Sequence, residues 1–408
     1  MPTRESQLDW IGFLLITACL GVIQFSIFLG ELCFALAWLL WIYVTIQDRK
    51  PFRVPAFFWP LAVYALITLV SAAVSIDPRE SVKDSRQLWL FFLVPVVARF
   101  ARGARAGQII NVIIALGAAG ALVGIVQYAM FGFDSDSHRP TGLLSHYMTY
   151  SGVLMLVACA AASRLLFYPK EWIWPGIAVP ALLVALVFTR TRNAWIGSLT
   201  AITVLLGARR RRLLLVIPVL VALFVAFSPA SIKERAYSII DPNDLSNRDR
   251  LQMLTMGVHM VHDHPYFGVG PEMVSRVYGD YLVPNPVHVS NPHLHDVPVQ
   301  IAAERGLFAL AAWLWFVAIA GRDLFRQLRR GPARAIAGAG AAALVAMLVA
   351  GLFEYNFGDS EFLILFLGLL TLPFAAAEES ADRTPAGTTG PGPRDRVAEA
   401  ELVGARAR

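Results

Sequence analysis

Histidine chemistry is concentrated in one polar stretch of the sequence. Six of the eight histidines lie within residues 229–297, and two of them close that stretch in the segment Asn-Pro-His-Leu-His-Asp at 291–296. Imidazole suits general-base work because its ordinary pKa lies near neutrality. His295 is therefore the candidate base. His293 and Asp296 are candidate substrate-binding residues beside it, and Asp296 could also orient the imidazole.

Arginines form a second group with recognisable chemistry. Arg190 and Arg192 stand in a very short connection, TRTRN, between two apolar runs. The planar guanidinium donates two parallel hydrogen bonds and suits a phosphate or a carboxylate. Both residues are candidate anion ligands. The alternative is that their charges only mark the end of a membrane helix. Arg248 and Arg250 in the histidine-rich stretch are further candidates for the same anion.

A metal site is an alternative use of the histidines. His262-x-His264 and His293-x-His295 could together supply four imidazoles. The sequence has no HExxH helix or comparable ligand spacing, and we predict no metal. The other histidines are expected to be polar residues at the membrane interface: His138, His146, His259 and His288.

The composition indicates that a membrane-embedded bundle positions these residues. Hydrophobic residues make up 57% of the 408 residues and charged residues only 16%, whereas soluble domains carry about 25% charged residues. This excludes a soluble enzyme, a disordered scaffold and a secreted disulfide-rich domain. The net charge of +6 is then an expression of membrane topology rather than of nucleic-acid binding.

About twelve apolar runs are long enough to be membrane spans, so we predict an all-α polytopic membrane protein with about twelve transmembrane helices and one large periplasmic loop domain. The predicted domains are nine helices in 1–228, the loop domain with short helices in 229–297, three helices in 298–376, and a disordered cytoplasmic tail in 377–408. The runs lie near 10–28, 31–46, 54–75, 87–100, 108–128, 147–165, 172–189, 194–208, 213–228, 298–320, 335–352 and 361–376.

Loop charges predict the orientation of the bundle. Basic residues in short loops mark the cytoplasmic face, and the alternation of loops places the arginine run 209–212 on that face together with Arg49 and Lys50. Both termini are then cytoplasmic, and every histidine lies on the opposite side. Glu304 and Arg305 are the charges left inside a predicted span, either as a functional pair or as a local ion pair.

The long loop is predicted to carry structure of its own. Apolar residues recur at helical spacing near 249–263, which predicts a helix lying across the membrane face. The sequence Gly-Val-Gly-Pro at 268–271 predicts a turn, since no strand precedes it as a nucleotide-binding motif would require. The apolar positions that carry the helix prediction are Leu251, Leu254, Val258 and Val261.

At these residues the sequence resembles the O-antigen ligase family, which is related to O-antigen polymerases and protein O-oligosaccharyltransferases. Arg192 in TRTRNAWIG matches the family's arginine-containing turn, and Arg250 precedes HDHPYFGVGP, which is similar to a family segment. His295 matches the family's histidine motif, with Gly306 at the matching distance. The resemblance covers about residues 10–376.

Two positions depart from the histidine motif. Asp296 replaces the usual amide or hydroxyl residue, and Ala309 replaces the final glycine, threonine or tyrosine. The order of the three motifs and their common membrane side still favour the family.

The resemblance implies a GT-C-like glycosyltransferase of the bacterial inner membrane with its active site facing the periplasm. It would transfer polysaccharide from undecaprenyl diphosphate to lipid A–core oligosaccharide, with membrane lipids around it and no nucleic acid as partner. Arg192 and Arg250 would hold the diphosphate, and His295 would take the acceptor proton. Inverting transfer without cofactor or metal is expected. An O-antigen polymerase and a polytopic transporter are the alternatives.

Overall fold

The computed structural model describes most of the chain, and all its regular structure is helical. No strand is present in the described ranges, which are 4–48, 53–133, 135 and 138–382. Arg49, Lys50 and most of the predicted tail at 377–408 lie outside those ranges.

Helices of the first part of the chain coincide with the apolar runs predicted there. The 87–100 run is divided between a 3-10 helix, Ser85–Phe92, and a short α-helix. The α-helices are α1 (Arg4–Val22), α2 (Ile27–Asp48), α3 (Phe58–Ala73), α4 (Pro78–Asp84), α5 (Leu93–Phe100), α6 (Ala104–Phe131), α7 (Tyr147–Phe167), α8 (Ile173–Phe188), α9 (Arg192–Arg209) and α10 (Val216–Phe227).

The second part of the chain holds short outer helices followed by three long ones. The last helix continues six residues beyond the predicted boundary at 376. These α-helices are α11 (Ala230–Tyr237), α12 (Leu245–Asp263), α13 (Val274–Val277), α14 (Val297–Arg330), α15 (Arg334–Ala350) and α16 (Ser360–Asp382).

Length and composition make this a multi-pass membrane protein. Within the described part of the chain, α2, α6, α7, α14 and α16 are long and apolar enough to cross a bilayer, and α1, α3, α8 and α15 are shorter apolar helices. The predicted count of twelve spans is therefore not confirmed. Many large apolar side chains on the outer surfaces of these helices are exposed, as lipid contact requires.

The centre of the bundle is built around α7 and α15. Nearly every residue of α7 from Tyr150 to Arg164 is buried, and α15 consists largely of alanine and glycine on its buried positions. Small residues let helix backbones approach closely in membranes. A methyl group added at Gly338 would lie 2.2 Å from the Ser163 hydroxyl oxygen, and that hydroxyl donates a 2.8 Å hydrogen bond to the Ala335 carbonyl.

The long outer segment has a small core of its own, as expected for a loop that carries structure. The predicted helix near 249–263 is confirmed as α12. Its buried face is formed by methionines, whereas Leu251, Leu254 and Val258 are exposed. The side chains that form this core include Met253, Met256, Met260, Val269, Met273, Val274, Tyr278 and Leu294.

A break in α14 joins the outer segment to the membrane bundle. Gly306 has a φ of 79° and a ψ of 174°, which interrupts the helix and exposes carbonyl groups of the preceding turn. The backbone N–H groups of Val269 and Gly270 donate to the carbonyls of Ala303 and Glu304, each at 2.9 Å. The predicted Gly-Val-Gly turn is thus confirmed, and it locks the outer segment to α14.

Glu304 and Arg305 form a buried ion pair at this junction. Glu304 also accepts a 3.0 Å hydrogen bond from the Glu272 backbone N–H, and Arg305 lies 3.8 Å from the Asp84 carboxylate. These contacts support the ion-pair interpretation, since each charge has an opposite partner.

Candidate functional site

Arg192 is the first residue of α9 and is almost completely buried. Its Nη1 donates to the Ser238 carbonyl at 2.7 Å and to the Ser238 hydroxyl at 2.8 Å. Its Nη2 donates to Asp244 Oδ1 at 3.0 Å. A cation at a helix N-terminus is opposed by the helix dipole, so a nearby anion is required. Asp244 supplies one, and the same combination of guanidinium and helix N-terminus attracts other anions.

Asp244 holds the two predicted arginine segments together. It is the N-cap of α12, where its Oδ1 accepts the Asn247 backbone N–H at 3.1 Å. Carboxylates are favoured at this position because they satisfy an N–H group that lacks a helical partner. Since Asp244 also pairs with Arg192, it docks the start of the helix that carries Arg250 against the turn that carries Arg192.

Arg250 lies between this arginine turn and the histidine segment. Its Nε donates to the Phe353 carbonyl at 3.0 Å, and its Nη1 donates to the Ser246 hydroxyl at 3.1 Å. Burial lowers the pKa of Arg250, the charge of Arg192 lowers it further, and the charge of Glu354 opposes the change. Its bond to Phe353 places Arg250 beside the segment that carries Glu354, and the N-cap of its helix pairs with Arg192. Two cations joined in this way favour an anionic ligand.

His295 is paired with a carboxylate that the sequence analysis did not identify. Its Nδ1 lies 2.9 Å from Oε2 of Glu354. His293 Nε2 lies 3.8 Å from the other carboxylate oxygen, and the two imidazole rings are 4.2 Å apart at their centroids. His295 has a φ of 53°, the left-handed region that non-glycine residues rarely adopt. Such backbone strain concentrates at functional sites.

The charge state of Glu354 decides which imidazole nitrogen is available. Burial opposes its ionisation, but the hydrogen bond from His295 and nearby positive charge, including that of Arg250, lower the pKa of Glu354. An ionised carboxylate only accepts hydrogen bonds, so Nδ1 of His295 carries a proton, and in the neutral imidazole Nε2 is the nitrogen with the free lone pair. Burial also lowers the pKa of His293 to about 4, although Glu354 opposes that change. His293 is therefore neutral at pH 7.

The same three groups have the geometry of a metal-ligand set. One ligand atom each from His293, His295 and Glu354 lies within 4.8 Å of the others, and two imidazoles with a carboxylate are a donor set that zinc accepts. The alternative of four imidazoles is not formed in the described structure. His262 instead pairs with Asp263 at 3.0 Å at the end of α12.

The remaining predicted residues have different surroundings. Arg190 adopts a left-handed φ of 56° in the turn before α9, and its carbonyl accepts a 3.3 Å hydrogen bond from Arg235 Nε. Arg248 is exposed on α12. Asp296 is the N-cap of α14, where its Oδ1 accepts the Val299 backbone N–H at 2.8 Å. The expectation that Asp296 orients the imidazole is not met, because Glu354 makes that contact.

Sequence reasoning missed three residues of this arrangement, namely Ser238, Asp244 and Glu354. Asp244 precedes Asn247 by three residues, which is a helix-capping pattern that could have been recognised. Glu354 lies in the short outer connection between the last two apolar runs. A carboxylate on the same predicted membrane side as His295 indicates a possible partner for a histidine. The sequence does not indicate which histidine it pairs with.

Comparison with known proteins identifies one segment of the chain. A family model described as O-antigen ligase matches residues 177–314. The matched segment includes Arg192, Arg250 and His295, and it excludes Glu354. The resemblance inferred from the sequence motifs is thereby confirmed. No curated protein matches the chain.

Proposed function

Because the chain carries an O-antigen ligase domain, we propose that this multi-pass membrane protein transfers O-antigen polysaccharide from undecaprenyl diphosphate to lipid A–core oligosaccharide. One observation carries the proposal. Arg250 donates a hydrogen bond to the carbonyl of Phe353, next in the chain to the Glu354 carboxylate that pairs with His295. The N-cap of its own helix, Asp244, pairs with Arg192. An anion-binding pair beside a histidine base is the arrangement that displacement of a diphosphate by a hydroxyl requires.

His295 is the proposed general base. The acceptor hydroxyl oxygen attacks the anomeric carbon of the donor sugar, and its proton moves to the free Nε2 of His295. The bond between the anomeric carbon and the phosphate oxygen breaks, and its electron pair leaves with the diphosphate. Glu354 keeps Nδ1–H directed away from the reaction and stabilises the imidazolium that forms. A direct displacement of this kind inverts the anomeric configuration.

Arg192 and Arg250 are the proposed diphosphate ligands. Charge accumulates on the phosphate oxygens as the bond breaks, and fixed cations stabilise that charge more in the transition state than in the ground state. Nη2 of Arg192 pairs with Asp244. When the donor binds, this nitrogen would bond to the diphosphate either in place of Asp244 or in addition to it. Arg190 and Arg248 are proposed as supporting contacts to the donor, and His293 and Asp296 as contacts to the acceptor.

The proposed setting is the bacterial inner membrane, with residues 229–297 as a periplasmic domain between bundles 1–228 and 298–376 and a cytoplasmic tail at 377–408. Arginine runs such as 209–212, on the side opposite to His295, support this orientation. No nucleotide-activated sugar is needed, since the lipid diphosphate is itself the leaving group.

Reconstitution of the purified protein tests the proposal. Lipid-linked O-antigen is supplied with lipid A–core in one reaction and without it in another. A ligase produces capped lipid A–core in the first reaction. It does not lengthen the lipid-linked chains in the second. His295→Gln should abolish capping, while His259→Gln, a change at an exposed histidine of α12, should leave it intact.

Two outcomes would contradict the assignment. Elongation of the lipid-linked chain without transfer to lipid A–core would make the protein a polymerase. Loss of transfer in a chelator, with recovery on addition of zinc, would make His293, His295 and Glu354 a metal centre and remove His295 from the role of base.

A further inference from the structure

A cavity of about 240 Å³ lies beside the His295–Glu354 pair. Its wall is formed by the start of α7, by the connection between α15 and α16, and by residues of the outer segment. Glu354 and His293 both line it. A single water molecule needs only about 10–15 Å³ of such space, so the cavity is large enough for one sugar ring.

The charge of the cavity excludes the diphosphate as its ligand. Glu272, Glu354 and Asp359 line it, and the described residues of its wall include neither an arginine nor a lysine. Carboxylates at this density repel phosphate oxygens and accept hydrogen bonds from hydroxyl groups. The predicted arginines bond to Ser238, Asp244 and the Phe353 carbonyl and do not line the cavity, whose wall is acidic.

Two residues that line the cavity carry buried polar atoms without hydrogen-bond partners. The Oδ1 atom of Asn356 and the Nδ1 atom of His293 are buried without a partner among the residues that the structure describes. Asn356 is only 8% exposed. Buried polar atoms of this kind are rare and call for a partner. A rotation of either side chain would present the atom to a sugar hydroxyl, which both donates and accepts.

Asp359 is held in a fixed orientation toward the same space. Its Oδ2 accepts the Thr149 hydroxyl at 2.5 Å, and its Oδ1 accepts the Phe362 backbone N–H at 2.9 Å. Glu361 also makes a side-chain hydrogen bond to this carboxylate, and the lone pairs that remain can accept a ligand hydroxyl. The Phe362 and Tyr355 side chains also line the cavity and offer apolar surface to the carbon-bound hydrogens of a sugar.

We propose that this cavity binds a sugar ring of the acceptor oligosaccharide, with Asn356, Asp359 and Thr149 as its specificity-determining residues. The inference rests on the proposed function, since it names the substrate that the base deprotonates. The anionic donor is held on the arginine side, and the neutral acceptor ring is held on the carboxylate side next to Glu354.

Initial-rate kinetics of Asn356→Leu and Thr149→Val test this site. Lipid A–core is varied at saturating lipid-linked O-antigen, and the donor is then varied at saturating acceptor. Asn356→Leu removes a ligand hydrogen bond, and Thr149→Val removes the hydroxyl that fixes Asp359. Each change should raise the KM for lipid A–core by about 5- to 10-fold and leave the donor KM within about twofold. Thr203→Val is the matched control, because that hydroxyl is on α9 and bonds only to its own helix within the described structure.

Direct binding separates failure of the site from failure of the proposed function. The affinity of the purified proteins for lipid A–core is measured without donor, and melting temperatures confirm that each variant is folded. Binding weakened about 5-fold or more in both variants supports the site even if the wild type proves to lack transfer activity. Unchanged acceptor affinity in both folded variants overturns it, and a rise in donor KM alone assigns the cavity to a donor sugar.

Discussion

Replacement of Glu354 by glutamine removes one negative charge and preserves the size of the side chain. The carboxylate accepts the Nδ1–H of His295 at 2.9 Å and is 8% exposed, so solvent cannot replace the lost interaction. The amide of glutamine can present an N–H group to Nδ1. That contact stabilises the tautomer that carries its proton on Nε2. In this tautomer Nε2 cannot take the proton from the hydroxyl of the acceptor sugar.

The expected loss follows from these two effects. A general base contributes about 10²–10⁴-fold to a rate, and the equivalent carboxylate-to-amide change in a serine protease triad costs about 10⁴-fold through the wrong tautomer. We therefore expect kcat of Glu354→Gln to fall by about 10²–10⁴-fold. Glu354→Asp keeps the charge but shortens the side chain by one methylene, and it should retain more activity than the amide.

Transfer to lipid A–core by purified protein over a range of pH values measures this effect. Because the pKa of Glu354 is lowered, its stabilising charge is present above its unfolded-state pKa and is lost only as the pH falls through the folded value. The tautomer argument thus applies throughout the neutral range. Glu234→Gln, an exposed change in the outer segment, is the control. A kcat for Glu354→Gln within about threefold of wild type, with normal folding, would refute the role of Glu354 as the orienting partner of the base.

The remaining predictions concern the arginine turn and the junction at α14. Arg192→Lys keeps the charge but loses the two-nitrogen contact, so kcat should fall by about 10²–10³-fold, while exposed Arg212→Lys stays near wild type; equal activity of the two variants would leave Arg192 as a topological marker. Gly306→Ala adds a methyl group 2.0 Å from the Tyr266 carbonyl oxygen at a φ of 79°, and should lower the unfolding free energy by about 1–3 kcal/mol. Gly279→Ala, which meets open space, should change the melting temperature little, and an unchanged Gly306→Ala would contradict the tight junction.

Several features of this protein follow from local sequence. Apolar runs predict the membrane helices because their backbone groups must be satisfied within each segment in lipid. Spacing predicts the helix near 249–263, which the structure shows as Leu245–Asp263, and the glycines predict the Gly-Val-Gly turn. The chemistry of His295, Arg192 and Arg250 was also available from residue type and motif order, and the family match includes all three.

The tertiary structure decided which predicted residues meet and through what partners. Both faces of α12 carry apolar side chains, so spacing predicted the helix but could not show that Met253, Met256 and Met260 are buried while Leu251 is exposed.

The pairing partners of the site are equally invisible in the sequence. Arg192 and Asp244 are 52 residues apart, and His295 and Glu354 are 59 residues apart. Periodicity reports how neighbouring residues share one helix, whereas hydrogen bonds between distant segments depend on how the helices pack. The sequence by itself therefore determined the apolar helices and the types of reactive group, and only the folded bundle determined that Glu354 pairs with His295 and that Asp244 joins the two arginine segments.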